Sequence, residues 1–182
     1  MPSEADILLG CVNNDNSSQH KLYKLFAPKM FGVCMRYAKN KMEAEDILQE
    51  GFIKVFSNIS KFKNEGSFEG WVRRTFINTA INHYKKNLRY TKELDIDGFE
   101  IENNKDFKII EKLSMEEILA KVQQLPEGYR VVFNLNVIEG YTHKMIGEML
   151  GVSENTSKSQ LLRAKKILKE KLIQYHDGRE QF

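Results

Sequence analysis

The chain is poor in the residues that mark several common classes of protein. It has two cysteines, Cys11 and Cys34, with three prolines and one tryptophan among 182 residues. Neither cysteine belongs to a CxxC pair or has histidines at metal-ligand spacing, so we expect small apolar fillers in a reducing compartment and no metal site. No run approaches the ~20 apolar residues of a membrane-spanning helix, so we expect no membrane insertion.

Other absences narrow the function. The N-terminus carries Glu4 and Asp6 where a secretory signal would carry lysines, which predicts a cytoplasmic protein. There is no glycine-rich phosphate loop with GK[ST], no carboxylate cluster at metal spacing and no Cys/His site. The sequence therefore predicts neither an enzyme acting on nucleic acid nor a cofactor.

The charges are unevenly distributed, although the net charge is only +3. Residues 71–92 hold six lysines or arginines and no acid, whereas residues 93–117 hold nine acids and three lysines. Residues 142–172 return to seven bases and three acids. This order is typical of two DNA-facing surfaces separated by a segment that repels DNA.

Helical periodicity dominates the chain and strand signals are nearly absent, which predicts an all-α fold. Periodicity fades where the acidic residues begin, which indicates a flexible solvated linker. We therefore predict a helical domain over 1–90, an acidic linker over 91–111, a second helical domain over 112–176 and a tail over 177–182. In the second domain, Pro126 is expected in the first turn of a helix that ends before Gly140.

A helix-turn-helix is predicted over residues 142–156. Gly147 stands where the two helices would cross closely, and Gly151 follows four residues later in the turn. Thr142 and Ser153 can cap the two helices. The second helix would enter the major groove, and the side chains expected to face DNA are Asn155, Lys158, Ser159, Leu162 and Arg163, with Thr142 and Lys144 placed for phosphates. An ordinary helical hairpin with a lysine-rich surface is the alternative.

A second basic helix is predicted from Ser67 to about Leu88. Phe68, Trp71, Val72, Phe76 and Ala80 form one apolar stripe and are interpreted as core. The remaining faces carry cations interleaved with amides, an arrangement suited to a DNA strand with unstacked bases. These residues are Arg73, Arg74, Asn78, Asn82, Lys85 and Lys86.

Four segments together resemble the small, two-domain extracytoplasmic-function sigma factors of bacterial RNA polymerase. The segment from Glu45 to Phe56 resembles the helix that binds the clamp helices of the polymerase β′ subunit. The segment from Phe68 to Ala80 resembles the melting and −10 regions. The segment from Leu125 to Phe133 resembles the opening of sigma region 4, and Gly147 to Ala164 resembles the −35 reader. In that family the two domains are a region 2 helical bundle and a region 4 helix-turn-helix.

The resemblance assigns roles to particular residues. Asp46, Gln49 and Glu50 would face the β′ clamp, although by themselves they would be interpreted as a solvated helix face. Phe62, Ser67 and Asn78 would line the pocket for a flipped −10 base, Lys158, Ser159 and Leu162 would face −35 bases, and Arg163 would face a phosphate. The implied partners are core RNA polymerase (β′ clamp helices and β flap), promoter DNA and an anti-sigma factor, with a monomer when free.

The sequence departs from the family pattern at three positions. Gln160 stands where arginine is usual, Ser157 where valine is usual, and His83 where aspartate is frequent. Ser157 is expected to weaken the packing of the second domain slightly. Two rival hypotheses are a stand-alone helix-turn-helix regulator that binds a palindrome as a dimer, and a decoy that mimics a sigma factor without promoter recognition. Neither explains both the acidic helix and the DNA-facing cations.

Overall fold

The computed structural model describes residues 4–90 and 115–179, and every regular element in these ranges is helical. This confirms the all-α prediction. The chain divides into two compact units, Met1–His83 and Tyr84–Phe182, so the division falls inside one long helix. The predicted acidic linker, 91–111, lies outside the described residues. The domain boundaries predicted from the sequence stay a prediction.

The first unit is built from four helices, of which the fourth continues into the second unit. They are α1 (Glu4–Val12), α2 (Asn16–Tyr37), α3 (Lys41–Asn58) and α4 (Phe68–Tyr90), with a 3₁₀ turn at Ile59–Lys61. Asp15 caps α2 by accepting hydrogen bonds from the backbone N–H groups of Ser17 and Ser18. Ser67 accepts from the Gly70 N–H at the start of α4, as its sequence position predicts.

Apolar side chains from α2, α3 and α4 meet in one core. Phe52 of α3 packs edge to face against Phe76 of α4, with ring centroids 5.1 Å apart. A Cβ at Gly51 would overlap the Phe76 ring, so the close approach of α3 and α4 requires glycine at this position. This packing fixes how the outward faces of α3 and α4 are oriented.

The second unit contains α5 (Met115–Gln123), α6 (Glu127–Phe133), α7 (His143–Leu150) and α8 (Glu154–Arg179). Pro126 is the N-cap of α6 and lies just outside its first turn. The helix predicted to end near Glu139 has its last part, Asn134–Ile138, as a π-helical turn. The buried guanidinium of Arg130 donates to the carbonyls of Gln123 and Leu125, which satisfies acceptors at the end of α5.

The predicted helix-turn-helix is present as α7, a short turn and α8. Thr142 caps α7 through the Met145 N–H, and Ser153 caps α8 through the Thr156 N–H. Gly151 has φ +75°, the left-handed conformation that favours glycine. A Cβ at Gly147 would lie 2.8 Å from the backbone oxygen of Val152. The helix crossing therefore depends on the two glycines that the sequence pattern singled out.

Candidate nucleic-acid and protein interfaces

The outer face of α3 is acidic and partly apolar. Asp46, Gln49 and Glu50 are all exposed, and Glu50 forms an ion pair with Lys54 one turn later, at 2.6 Å. Met42 and Ile53 lie on the same exposed side and are 71% and 65% exposed. Spacings of three, four and seven residues place Met42, Asp46, Gln49 and Ile53 in one stripe. A large exposed apolar side chain therefore lies at each end of the acidic stripe.

The outer face of α4 is basic. Arg74, Asn78, Asn82 and Lys86 are exposed at intervals of four residues, so they form one continuous stripe. Arg73 and Lys85, also predicted to face DNA, are half-buried at its edges. The stripe places two amides between two cations over three turns, which suits a phosphate backbone with accessible bases beside it.

Aromatic rings adjoin this stripe at the start of α4. Phe62 packs against Phe68 and Trp71, with centroids 5.2 and 5.7 Å away, and Phe68 stacks on Trp71 at 5.7 Å. Phe68 is buried, whereas Phe62 and Trp71 keep part of their surface accessible. Trp71 therefore only partly fits its interpretation as core. Partly accessible rings beside cations can stack on bases.

Of the residues predicted to form the base pocket, Phe62, Ser67 and Asn78, only Ser67 lines the cavity at the start of α4. This open cavity of about 410 Å³ is lined by Ser67 together with residues of α2 and α4. Neither Phe62 nor Asn78 lines it. Its charged members, Lys29 and Glu69, form an ion pair at 2.8 Å. Capture of a base between Phe62 and Asn78 stays a prediction.

His83 connects α4 to the start of α3. Its Nδ1 lies 3.3 Å from Oε1 of Glu43, a buried carboxylate whose other oxygen accepts from the Lys39 N–H at 2.6 Å. Glu43 is also part of the local cap, because its own N–H donates to the Asn40 side chain. The Asn40-x-x-Glu43 spacing, typical of a capping box, is a sequence signal for this cap but not for the contact with His83. The pair joins the acidic helix and the basic helix away from their outer faces.

The recognition face of α8 brings most of its predicted residues together. Asn155, Lys158, Ser159 and Leu162 line one open concavity of about 610 Å³, together with Ser153 and Thr156. Lys158 is paired with Glu154 at 2.7 Å, and this hydrogen bond is the main cause that lowers the pKa of Glu154. Contact of Lys158 with DNA stays a prediction, and such a contact would replace its pair with Glu154.

The remaining predicted residues lie around this concavity. Thr142 and Lys144 are exposed at the start of α7. Arg163 is half-buried and donates from its guanidinium to the Tyr129 hydroxyl at 3.2 Å, so it is anchored on α6 and does not extend freely. Gln160, which stands where the family usually has arginine, has its Oε1 buried, and its amide nitrogen faces Gly128 of α6. Gln160 therefore contributes to packing and not to the DNA face.

The buried hydroxyl of Ser157 is satisfied by a hydrogen bond. Its side chain is fully buried, and its hydroxyl lies 2.9 Å from Nδ1 of His143, the first residue of α7. Burial is the first cause that lowers the pKa of His143, followed by the positive charge of Lys158. The two helices of the motif are therefore joined by a polar contact at a point where an aliphatic contact was expected.

The lowered pKa of His143 predicts a loss of stability in acid. The imidazole binds a proton at higher pH in the unfolded chain than in the folded chain. The contribution of neutral His143 to the free energy of unfolding is therefore complete above the ordinary histidine pKa of about 6.5 and decreases as the pH falls below it. We expect the far-UV circular dichroism transition to move to lower temperature between about pH 7.5 and about pH 5.5. His143→Asn should reduce this shift. Fluorescence of the single tryptophan, Trp71, reports the first unit and should show no such dependence on residue 143.

Within the described residues, no helix is both long and apolar enough to cross a membrane. The longest, α2, α4 and α8, all carry charged side chains along their length.

Comparisons with known proteins identify both units. The family model of sigma-70 region 2 matches residues 22–90, and that of sigma-70 region 4 matches residues 115–168. The RNA polymerase sigma-H factor of Pseudomonas aeruginosa is 30% identical over 151 residues, which cover 77% of this chain and 78% of the relative. The ECF RNA polymerase sigma-E factor of Haemophilus influenzae is 27% identical, over 87% of this chain and 89% of the relative.

Among solved structures, the fold is similar to that of the sigma factor RpoE from Bartonella quintana, solved in complex with the anti-sigma factor NepR. The TM-score is 0.51 at 18% identity, over 85% of this chain and 96% of the other. This similarity concerns the fold alone.

Proposed function

Since the chain belongs to the sigma-70 family, as an alternative sigma factor of the extracytoplasmic-function group that directs transcription initiation, we propose that α3 binds core RNA polymerase and that α4 and α8 bind the promoter. The observation that carries this proposal is the separation of charge between α3 and α4. Exposed carboxylates lie on α3, and exposed cations with amides lie on α4. One small bundle can thus bind a protein and a nucleic acid at the same time.

The α3 face binds the clamp helices of the β′ subunit. Asp46, Gln49 and Glu50 supply the polar contacts, and they are exposed, which supports the proposal. Met42 and Ile53 add apolar area at the two ends of the stripe. Burying these two side chains supplies affinity, whereas the carboxylates select a basic partner.

The α4 face binds the −10 element after local melting. Extracting a base from the duplex costs a few kcal/mol, which stacking on Phe62 or Trp71 and contacts with Asn78 can offset. The cations Arg73, Arg74, Lys85 and Lys86 hold the strand, and Asn82 lies among them. Ser67 caps the helix at the entrance to this surface.

The second unit reads the −35 element in double-stranded DNA. Asn155, Lys158, Ser159 and Leu162 face the bases, and Thr142 and Lys144 contact phosphates. Arg163 contacts a phosphate from its anchored position beside Tyr129. Two weak DNA sites on one chain gain affinity when the polymerase fixes their separation, because the second contact becomes intramolecular.

The partners follow from this role. The proposed assembly contains the chain as a monomer with core RNA polymerase, through the β′ clamp helices and the β flap, and promoter DNA. It acts in the cytoplasm without a catalytic step of its own. By analogy with the Bartonella quintana sigma factor, which was solved in complex with the anti-sigma factor NepR, the proposed partners also include an anti-sigma factor.

Transcription in vitro tests the proposal. Core RNA polymerase from the organism of origin is incubated with genomic fragments, with and without the protein. Discrete new transcript starts that require both the core enzyme and the protein are expected, and they define the promoters. If no such starts form, and the protein alone binds a palindromic site tightly, the stand-alone regulator replaces the sigma factor.

The α4 stripe should contribute to the salt dependence of binding. Each cation that contacts a single strand makes the negative slope of log K against log salt steeper by about 0.7. Replacing two cations, with Arg74→Ala and Lys86→Ala, should therefore make the slope shallower by about 1.4. The measurement is holoenzyme binding to promoter DNA with an unpaired −10 segment. Lys21→Ala with Lys24→Ala, which removes two exposed lysines of α2, is the control and should leave the slope unchanged. Equal slopes in both variants would contradict the assignment of α4.

A further inference from the structure

The hydrogen bond between His143 and Ser157 joins α7 to α8, and its donor and acceptor can be assigned. Ser157 is fully buried, and Oγ lies 2.9 Å from Nδ1 of His143. In the described part of the chain, the imidazole is the one hydrogen-bond partner of this hydroxyl. A buried hydroxyl hydrogen without an acceptor costs about 1–3 kcal/mol. The hydroxyl therefore donates to Nδ1.

This assignment determines which ring nitrogen carries the proton. A neutral imidazole has one donor and one acceptor nitrogen. With Nδ1 accepting from Ser157, the hydrogen lies on Nε2, an assignment made from the hydrogen-bond network. The two nitrogens point in nearly opposite directions, so Nε2–H is directed away from the buried hydroxyl. Among the described residues it has no hydrogen-bond partner.

The surroundings of the ring indicate what this donor meets. His143 is half-exposed and is flanked by the exposed residues Thr142 and Lys144 at the start of α7. The charged groups that act on the ring from α8 are Lys158, Glu154 and Lys165. Two of these three are cations, and Glu154 is already paired with Lys158. An outward N–H among lysines suits an anionic acceptor.

We infer that His143 donates its Nε2–H to a backbone phosphate of the −35 element, and that Ser157 is the positioning residue that fixes the ring and its tautomer. The inference rests on the proposed reading of −35 DNA by the second unit. Because burial and Lys158 hold the pKa of His143 below its usual range, the ring is neutral at neutral pH. The donor is uncharged, so the hydrogen bond to the phosphate releases no counterion.

Two variants of His143 test the roles of Nδ1 and Nε2 separately. His143→Asn places an amide oxygen near the position of Nδ1, so it keeps an acceptor for Ser157 and removes the outer donor. His143→Gln places an amide nitrogen near the position of Nε2 and leaves the Ser157 hydroxyl without an acceptor. At about pH 7.5, where the ring is neutral, His143→Asn should keep the wild-type unfolding temperature, and His143→Gln should lower it.

The DNA measurements use holoenzyme and a promoter found by the transcription experiment. His143→Asn should weaken binding about 10- to 100-fold, the value of one hydrogen bond to a charged group, with an unchanged salt slope. Lys144→Ala, the matched cationic control, should weaken binding and also reduce the slope by about 0.9. Ser157→Ala should weaken binding in the wild-type background and have no further effect when Asn occupies position 143.

The phosphate itself can be identified by a scan of single methylphosphonate substitutions across the −35 element. One substitution should weaken the wild type and leave His143→Asn unaffected. Wild-type affinity in a stably folded His143→Asn protein would overturn the inference, as would a reduced salt slope, which indicates a cationic ring. If Lys144→Ala and Lys158→Ala also have no effect, the failure lies with the proposed −35 surface and not with His143 alone.

Discussion

Reversing the charge of Asp46 and Glu50 together should abolish transcription directed by this protein. Both side chains are exposed on α3, so the variant keeps the core of the bundle. Like charges placed against a partner cost several kcal/mol, which corresponds to a loss of affinity for core polymerase of at least about 100-fold. The loss should appear both in direct binding to core enzyme and in the yield of promoter-specific transcripts.

A graded series and a matched control accompany the double variant. Asp46→Lys alone should give a partial loss. Glu170→Lys introduces the same change of charge at an exposed position of α8, outside the α3 face, and should transcribe like the wild type. Glu50 is paired with Lys54, so Glu50→Lys also brings two lysines together and is checked by circular dichroism. A folded double variant with normal core binding would show that α3 is only a solvated face.

Replacing Gly147 by alanine should disable the second unit. The added Cβ would lie 2.8 Å from the backbone oxygen of Val152, and the carbonyl of Gly147 accepts from the N–H groups of Gly151 and Val152. The turn cannot move away from the added Cβ without stretching these hydrogen bonds. Overpacking of this kind costs about 1–3 kcal/mol. It also moves α8 relative to α7, so we expect at least a tenfold loss of −35 binding.

The control is another glycine in a helix. Gly32 lies inside α2, and no atom lies within 4 Å of the position that an added Cβ would take, so Gly32→Ala should stabilise its unit by up to about 1 kcal/mol. Denaturant unfolding followed by Trp71 fluorescence reports the first unit, and far-UV circular dichroism reports both. Gly147→Ala should shift only the unfolding transition of the second unit, which circular dichroism detects and Trp71 fluorescence does not. Normal −35 binding in that variant would mean that the crossing is looser than its geometry indicates.

Local rules predicted the helix-turn-helix almost completely. Thr142, Ser153 and Gly151 act through contacts within a few residues of themselves, so their roles follow from short sequence spacing. The start of α2 is less clear from such rules, because several polar residues in the preceding loop could act as the cap. Asp15 caps α2 although Ser17 and Ser18 follow it, since its side chain accepts from both of their N–H groups.

Contacts between distant residues were not predictable in the same way. Ser157 was expected to weaken packing, and only the crossing of α7 and α8 brings its hydroxyl to His143, 14 residues away. Arg163 was expected to extend outward, and the position of α6 determines that it is anchored on Tyr129. His83 is joined to Glu43 by the packing of α4 against α3.

The sequence by itself determined the helical class, the family and the residues from which the interfaces are built, because helical periodicity, caps and glycine positions are short-range properties. The tertiary structure decided which of these side chains are available. Gln160 turned towards α6, Arg163 was anchored, and the outer edge of His143 was left towards solvent. The physical reason is that a buried polar group takes the nearest partner that packing offers, and that partner can lie far away in the sequence.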